Sequence, residues 1–265
     1  MKTLATLCCA FLATALSLNA QDWAKPRLDN SPRHLEWVKV KHGSREVNCF
    51  IAYPEVKNKA PVVLVIHEIF GMTDWVRGVT DQLAEAGYIA IAPDLLSGMA
   101  PGGGGSAELG GGDGVRKTIQ SLKPEQITAD LDAVAAYATK LPAANGELAV
   151  AGFCWGGGQS FRYATHNKSL KAAFVFYGQG PDVADIAHIS APVYGFYAGN
   201  DARIGATVPA TTEEMKKAGK SYEPITYDGA GHGFMRAGEA PDASAPNKKA
   251  RDEAWVRVKA LLKKL

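Results

Sequence analysis

The chain has 265 residues, of which 46% are hydrophobic and 21% charged, and its formal net charge is +2. That length is enough for one full hydrophobic core, and the composition is that of an ordinary globular protein. A charge so near zero, with no Lys/Arg block, gives no basis for a nucleic-acid or membrane-surface partner and points to a small molecule.

The N-terminus reads as a signal peptide over residues 1–20. Met1-Lys2 is the positive n-region, Leu4 to Leu18 is apolar and uncharged, and Leu18-Asn19-Ala20 is a cleavage site. The apolar run is short of the ~20 residues a membrane span needs. The mature chain is expected to start near Gln21, exported to a periplasm or secreted, with no stable membrane association. Residues 21–34 are polar, contain Pro26 and Pro32, and read as a surface arm.

Leu35 to Val40 and Val47 to Tyr53 alternate apolar and polar around Gly43-Ser44, which predicts an antiparallel hairpin. Pro61 to His67 is nearly all apolar, the mark of a strand covered on both faces. A helix is predicted from Asp74 to Ala86, ending at Gly87, and a buried strand from Tyr88 to Pro93. Residues 97–114 are so rich in glycine that nothing in them orders cheaply. They read as a mobile lid or as a solvated insertion. Pro124 opens a helix through Leu131 and Val134 to Leu141. Glu147 to Ala151, Leu170 to Phe176, Pro192 to Tyr197 and Tyr222 to Tyr227 read as strands. A helix is expected over Pro209 to Ala218, and an amphipathic one over Asn247 to Leu265 with Trp255, Val258, Leu261 and Leu262 on one face. Strands alternating with helices behind a hairpin predict one domain over residues 35–265. Its architecture is α/β: a doubly wound, mostly parallel sheet with helices on both faces.

Gly152-Phe153-Cys154-Trp155-Gly156-Gly157-Gly158 lies between the strand at Glu147–Ala151 and a helix beginning near Gln159. A strand, a Gly-x-nucleophile-x-Gly turn and a helix make a nucleophile elbow, with cysteine where serine is usual. The bland alternative is a tight turn around a buried, inert cysteine. Of the four cysteines, Cys8 and Cys9 leave with the signal peptide. Cys49 falls in a strand far from the elbow, so Cys49 and Cys154 are expected as free thiols.

Ligands of open α/β sheets gather at the carboxyl ends of the strands. Glu68, Cys154, Tyr177, Asp201 and His232 all fall at such ends. The order nucleophile, acid, histidine makes Cys154–Asp201–His232 a candidate triad. Asp201 as a turn residue and His232 as a loop residue are the alternatives. The backbone N–H groups of Trp155 and Ile69 are candidates for an oxyanion hole. No HxxxH or CxxC pair and no GxGxxG register is present, so no metal and no cofactor are expected.

His67-Glu68-Ile69-Phe70-Gly71, Ala92-Pro93-Asp94-Leu95, the elbow, Tyr177-Gly178, Gly199-Asn200-Asp201 and Gly231-His232-Gly233-Phe234 together resemble the dienelactone hydrolase family. The likeness covers nearly all of the mature chain. It implies an α/β-hydrolase fold and hydrolysis of a small ester or lactone, bearing a carboxylate in the family's own class, through a thioester. It implies that Glu68 engages the resting thiol, with a structural carboxylate as the alternative. It also implies that Arg236 binds the substrate carboxylate, with a solvated arginine as the alternative. The family's second arginine has no counterpart in residues 98–114; Arg116 and Lys117 are the nearest cations. Trp75, Tyr177 and Phe234 are candidates for the pocket wall or for the core. A monomer or homodimer is expected. The rival reading keeps the fold without the catalysis: a small-molecule binder or a thiol redox protein.

Overall fold

A computed structural model describes residues 22–265. The expected signal peptide and its cleavage site lie outside the described residues. Eight strands form one sheet: β1 (Leu35–His42), β2 (Arg45–Ala52), β3 (Ala60–Ile66), β4 (Ile89–Pro93), β5 (Ala144–Phe153), β6 (Ala172–Phe176), β7 (Val193–Ala198) and β8 (Tyr222–Tyr227). Their order is β1-β2-β4-β3-β5-β6-β7-β8. The hairpin β1–β2 is antiparallel and joins β4 antiparallel; every later pairing is parallel. The helices are α1 (Lys25–Asp29), α2 (Asp74–Glu85), α3 (Gly112–Ser121), α4 (Pro124–Ala138), α5 (Trp155–His166), α6 (Val183–Ile186), α7 (Ala202–Gly205), α8 (Val208–Lys217), α9 (Phe234–Ala237) and α10 (Ala245–Leu262). Among the described residues no helix is long and apolar enough to cross a membrane.

The pleat of each strand divides the core in two. On β3, Val62, Leu64 and Ile66 face a cluster with Leu131 and Val134 of α4 and Phe161 of α5. Val63 and Val65 face the opposite cluster with Val76, Val79 and Leu83 of α2 and Ala254, Val258 and Leu261 of α10. Residues on successive positions of a strand point to opposite faces. A strand with helices on both sides is therefore apolar throughout, as Ala60–Ile66 is.

Two segments carry contacts that the sequence alone does not show. The surface arm, described from residue 22, is pinned to the domain. Asp22–Ala24 forms a 3-10 turn, Pro26 sits in the first turn of α1 where its missing N–H costs nothing, and Ala24 and Leu28 are buried. Arg33 then donates from Nε and Nη2 to the two oxygens of the buried Asp81 carboxylate on α2, at 2.7 and 2.8 Å. The glycine-rich stretch 97–114 is ordered too. Asp94, at the end of β4, accepts from the Ser106 amide at 2.7 Å, the Ser106 hydroxyl at 2.6 Å and the Leu96 amide at 3.1 Å. The Met72 amide donates to the same Ser106 hydroxyl at 3.0 Å, tying the segment to the turn after β3. From Gly112 onward it is α3, whose Val115 and Ile119 pack with Leu96 beside Ile69 and Trp155.

Candidate active site

β5 lies at the middle of the sheet, and the chain turns sharply at its carboxyl end. Cys154 has φ 57° and ψ −117°. Such a conformation costs a non-glycine residue about 1–3 kcal/mol unless the surroundings over-determine it. Here they do. The Cys154 amide donates to the Phe176 carbonyl at 3.0 Å, and its carbonyl accepts from the Gly158 amide at 3.2 Å. The flanking glycines are steric necessities. A Cβ on Gly152 would lie 1.9 Å from the Gly156 carbonyl oxygen, and one on Gly156 would lie 2.4 Å from the carbonyl oxygens of Ile66 and His67. Helix α5 therefore starts at Trp155, earlier than expected. Its glycines serve close approach to β3 and β6 and do not interrupt the helix.

Two loops bring acid and base to the sulfur. Asp201 follows β7 and caps α7, its Oδ1 accepting from the Ile204 amide at 3.3 Å. Its Oδ2 accepts from His232 Nδ1 at 2.5 Å, and His232 Nε2 lies 3.1 Å from Cys154 Sγ. The His232 loop is held from both sides: Gly231 donates to Asn247 Oδ1 at 2.8 Å, and Asn200 donates to the Ala230 carbonyl at 2.9 Å. Hydrogen bonding to the Cys154 sulfur, with Asp201 behind it, outweighs burial and raises the imidazole pKa to about 9. Beside a Cys154 thiolate, His232 is thus a cation at neutral pH.

Glu68 is 2% exposed and makes no hydrogen bond to Cys154 among the described residues. It accepts from Arg236 Nε at 2.7 Å and, more weakly, from the Tyr177 hydroxyl at 3.5 Å. Burial pushes its carboxyl up, and the Arg236 guanidinium opposes that shift. The implied Glu68–thiol contact is therefore replaced here by a Glu68–Arg236 ion pair. Arg236 also lies over the Phe70 ring at 5.1 Å and is not part of the cavity wall beside Cys154. Trp75 and Phe234 do not reach that wall either. Trp75 faces the core from α2, with its ring edge on Phe153 and its Nε1 donating to Glu239 at 3.1 Å. Phe234 is packed between Tyr177 and Tyr227. Tyr177 does line the cavity and sets its ring edge-on to His232.

The cavity holds about 430 Å³ and reaches Cys154, Ile69, Trp155 and Tyr177. Among the described residues, the amides of Ile69 and Trp155 have no acceptor within the protein. Both are free to meet an oxyanion. His67 was missed by the sequence reading, which treated it as the end of a strand. It is fully buried, and burial pushes its pKa down, so it is neutral. Its Nδ1 donates to the Glu68 carbonyl at 2.8 Å and its ring stacks on Trp155 at 5.4 Å. It thus touches Trp155 and the Glu68 carbonyl, which shares a peptide unit with the Ile69 amide. Arg162 and Arg203, also in the cavity wall, were missed as well.

A doubly wound sheet with a cysteine at the elbow and a histidine and aspartate in line behind it defines an α/β-hydrolase. The dienelactone hydrolase family matches residues 47–265. A relative from Yersinia pestis described as "Putative carboxymethylenebutenolidase" is 34% identical over 71% of this chain and 74% of its own. One of the same description from Synechocystis is 31% identical over 84% of this chain and 94% of its own. Among solved structures, a "Putative Dienelactone Hydrolase" from Klebsiella pneumoniae superposes with a TM-score of 0.77 at 28% identity, covering 88% of this chain and 99% of that one. The chain belongs to the dienelactone hydrolase family.

Two outcomes follow from this geometry. Arg236→Gln leaves Glu68 buried and unpaired, so it should lower stability by about 3–5 kcal/mol in urea melts. The double variant Glu68→Gln/Arg236→Gln should recover most of that loss; no recovery would mean the pair is not coupled. Second, the His232 imidazole should titrate by NMR near pH 9, falling toward 6.5 in Cys154→Ala. Because the folded value is the higher one, the stabilisation is complete below about pH 6.5 and is lost as pH rises through about 9. A midpoint near 6.5 in the native protein would contradict it.

Proposed function

We propose that this protein hydrolyses small carboxylic esters or lactones with Cys154 as the nucleophile and a thioester as the intermediate. The observation that carries the proposal is the line Asp201–His232–Cys154, with contacts of 2.5 and 3.1 Å, set beside two unoccupied amides. The names of the curated relatives point to an unsaturated lactone as the substrate type. Export after removal of residues 1–20 is part of the same proposal.

The chemistry follows from the parts. The Cys154 thiol passes its proton to His232, the resulting thiolate attacks the carbonyl carbon, and the C=O electron pair moves to oxygen. The amides of Ile69 and Trp155 donate to that oxyanion. When the intermediate collapses, the C–O bond breaks and the His232 imidazolium gives its proton to the leaving oxygen. In a lactone the leaving group stays attached, so ring opening and acylation are one event. His232, now neutral, takes a proton from water as the water attacks the thioester, and Cys154 is released. Asp201 keeps the imidazole in one orientation and stabilises its charged form.

Replacing Cys154 by Ala should lower kcat by about a thousandfold or more, for a short 4-nitrophenyl ester and for an enol lactone alike. Circular dichroism should show the fold intact. Undiminished hydrolysis by the folded variant would refute the proposal.

A further inference from the structure

His67 is an unfavourable residue to keep where it stands. Its imidazole is fully buried after the end of β3, against Trp155 at the start of α5. A carbonyl can only accept a hydrogen bond, so the contact with the Glu68 carbonyl puts the ring proton on Nδ1. Nε2 is then a bare acceptor, buried and without a partner among the described residues. A buried acceptor left unpaired is destabilising, and a leucine or phenylalanine there would have none. The ring is not part of the cavity wall, so it does not touch substrate.

What it does reach is the pair of peptide units that bear the free amides. A trans peptide is planar, so a carbonyl held on one side fixes the direction of the N–H on the other. The Glu68 carbonyl belongs to the peptide whose N–H is that of Ile69. It accepts from His67 Nδ1 at 2.8 Å and from the Gly71 amide at 3.1 Å. The Cys154 carbonyl belongs to the peptide whose N–H is that of Trp155, and it accepts from the Gly158 amide at 3.2 Å. Each free amide therefore stands opposite an engaged carbonyl, and donation to a carbonyl strengthens the N–H at the other end of the same peptide. On the Trp155 side the helix backbone supplies the donor. On the Ile69 side the turn supplies one through Gly71, and the His67 side chain adds a second. The same ring lies 5.4 Å from the Trp155 ring at an interplanar angle of 21°. It thereby ties the Ile69 peptide to the residue that carries the other amide.

We infer that His67 is the positioning residue of the oxyanion site: it aligns and polarises the Ile69 amide and holds it in register with that of Trp155, so that both meet one oxygen. The inference rests on the Cys154 hydrolase reading for its reaction. An N–H aimed at developing charge acts more in the transition state than in the ground state, so loss of the Nδ1 donor falls on kcat and leaves KM nearly unchanged.

The test separates donation from packing. His67→Asn retains a donor near the place of Nδ1 and loses the ring. His67→Phe retains a ring for Trp155 and loses the donor; His67→Leu, which also lacks the donor, is read if His67→Phe does not fold. Each is checked by circular dichroism, then mixed with a 4-nitrophenyl ester and, separately, with iodoacetamide. Acylation develops a carbonyl oxyanion, whereas alkylation displaces iodide from a saturated carbon and develops none. In His67→Phe the nitrophenol burst rate should fall about tenfold, less than the roughly hundredfold that loss of an oxyanion donor itself brings. KM should stay within about twofold, and Cys154 should be alkylated as fast as in the native protein. His67→Asn should restore most of the burst rate. An undiminished burst in folded His67→Phe, an equal loss in His67→Asn, or alkylation slowed by the same factor as acylation would overturn the inference. If the native protein turns over no ester, the Cys154 hydrolase reading fails, and reversible addition of a trifluoromethyl ketone to Cys154, followed by fluorine NMR, decides the oxyanion site alone. An adduct weakened about tenfold in His67→Phe but not in His67→Asn would support it. Equal adducts in native protein and His67→Phe, or none in the native one, would overturn it.

Discussion

The approach of Gly156 to the end of β3 governs the site. A Cβ there would sit 2.4 Å from two carbonyl oxygens, so helix and strand meet backbone to backbone with no room for a side chain. That contact brings the first turn of α5 against the turn after β3. The amides of Trp155 and Ile69 then fall on the same cavity as the sulfur. Gly157 and Gly178 repeat the arrangement on the other side, against β6, where a Cβ on Gly178 would lie 2.2 Å from the Gly157 carbonyl carbon. Cys154 is held at positive φ because both flanks of its turn are locked. The strain at one residue is the counterpart of packing at three glycines.

Around that frame the charges sort into separate systems. His232 shares its charge with the sulfur and Asp201. Glu68 is committed to Arg236 in a nearly dry position, where removing either partner leaves an uncompensated charge. Among the described residues Arg203 makes no hydrogen bond and no ion pair, and Arg162 bonds only neutral acceptors. The buried pair lies outside the wall of the cavity that Cys154 lines. The neutral His67 stiffens the turn that separates the two, through one bond to the Glu68 carbonyl and one stack on Trp155.

Much of this was legible in the sequence, for physical reasons. Strands buried on both faces are apolar throughout, so β3 to β7 announced themselves. Register and turn chemistry placed the hairpin, and the elbow glycines marked Cys154. What sequence could not show was long-range polar partnership. Nothing near Asp94 says that it will hold Ser106, so residues 97–114 read as loose. Nothing near Arg33 names Asp81, so the anchor of the surface arm was not legible. Glu68 and Arg236 each looked available for chemistry because their mutual contact spans the whole domain. Trp75 and Phe234 are aromatic residues near motif positions, and sequence does not tell the cavity side of a wall from its core side. Arg203 was hidden in a short helix with no periodic signal.

The most direct test of the account is acyl trapping. The native protein would be mixed with a slowly hydrolysed 4-nitrophenyl ester, quenched in acid within one turnover, and its peptides analysed by mass spectrometry. The account predicts one acyl group on the peptide carrying Cys154, appearing with the nitrophenol burst and released by neutral hydroxylamine as a thioester would be. An acyl group on another residue, or a burst with no adduct on Cys154, would contradict it.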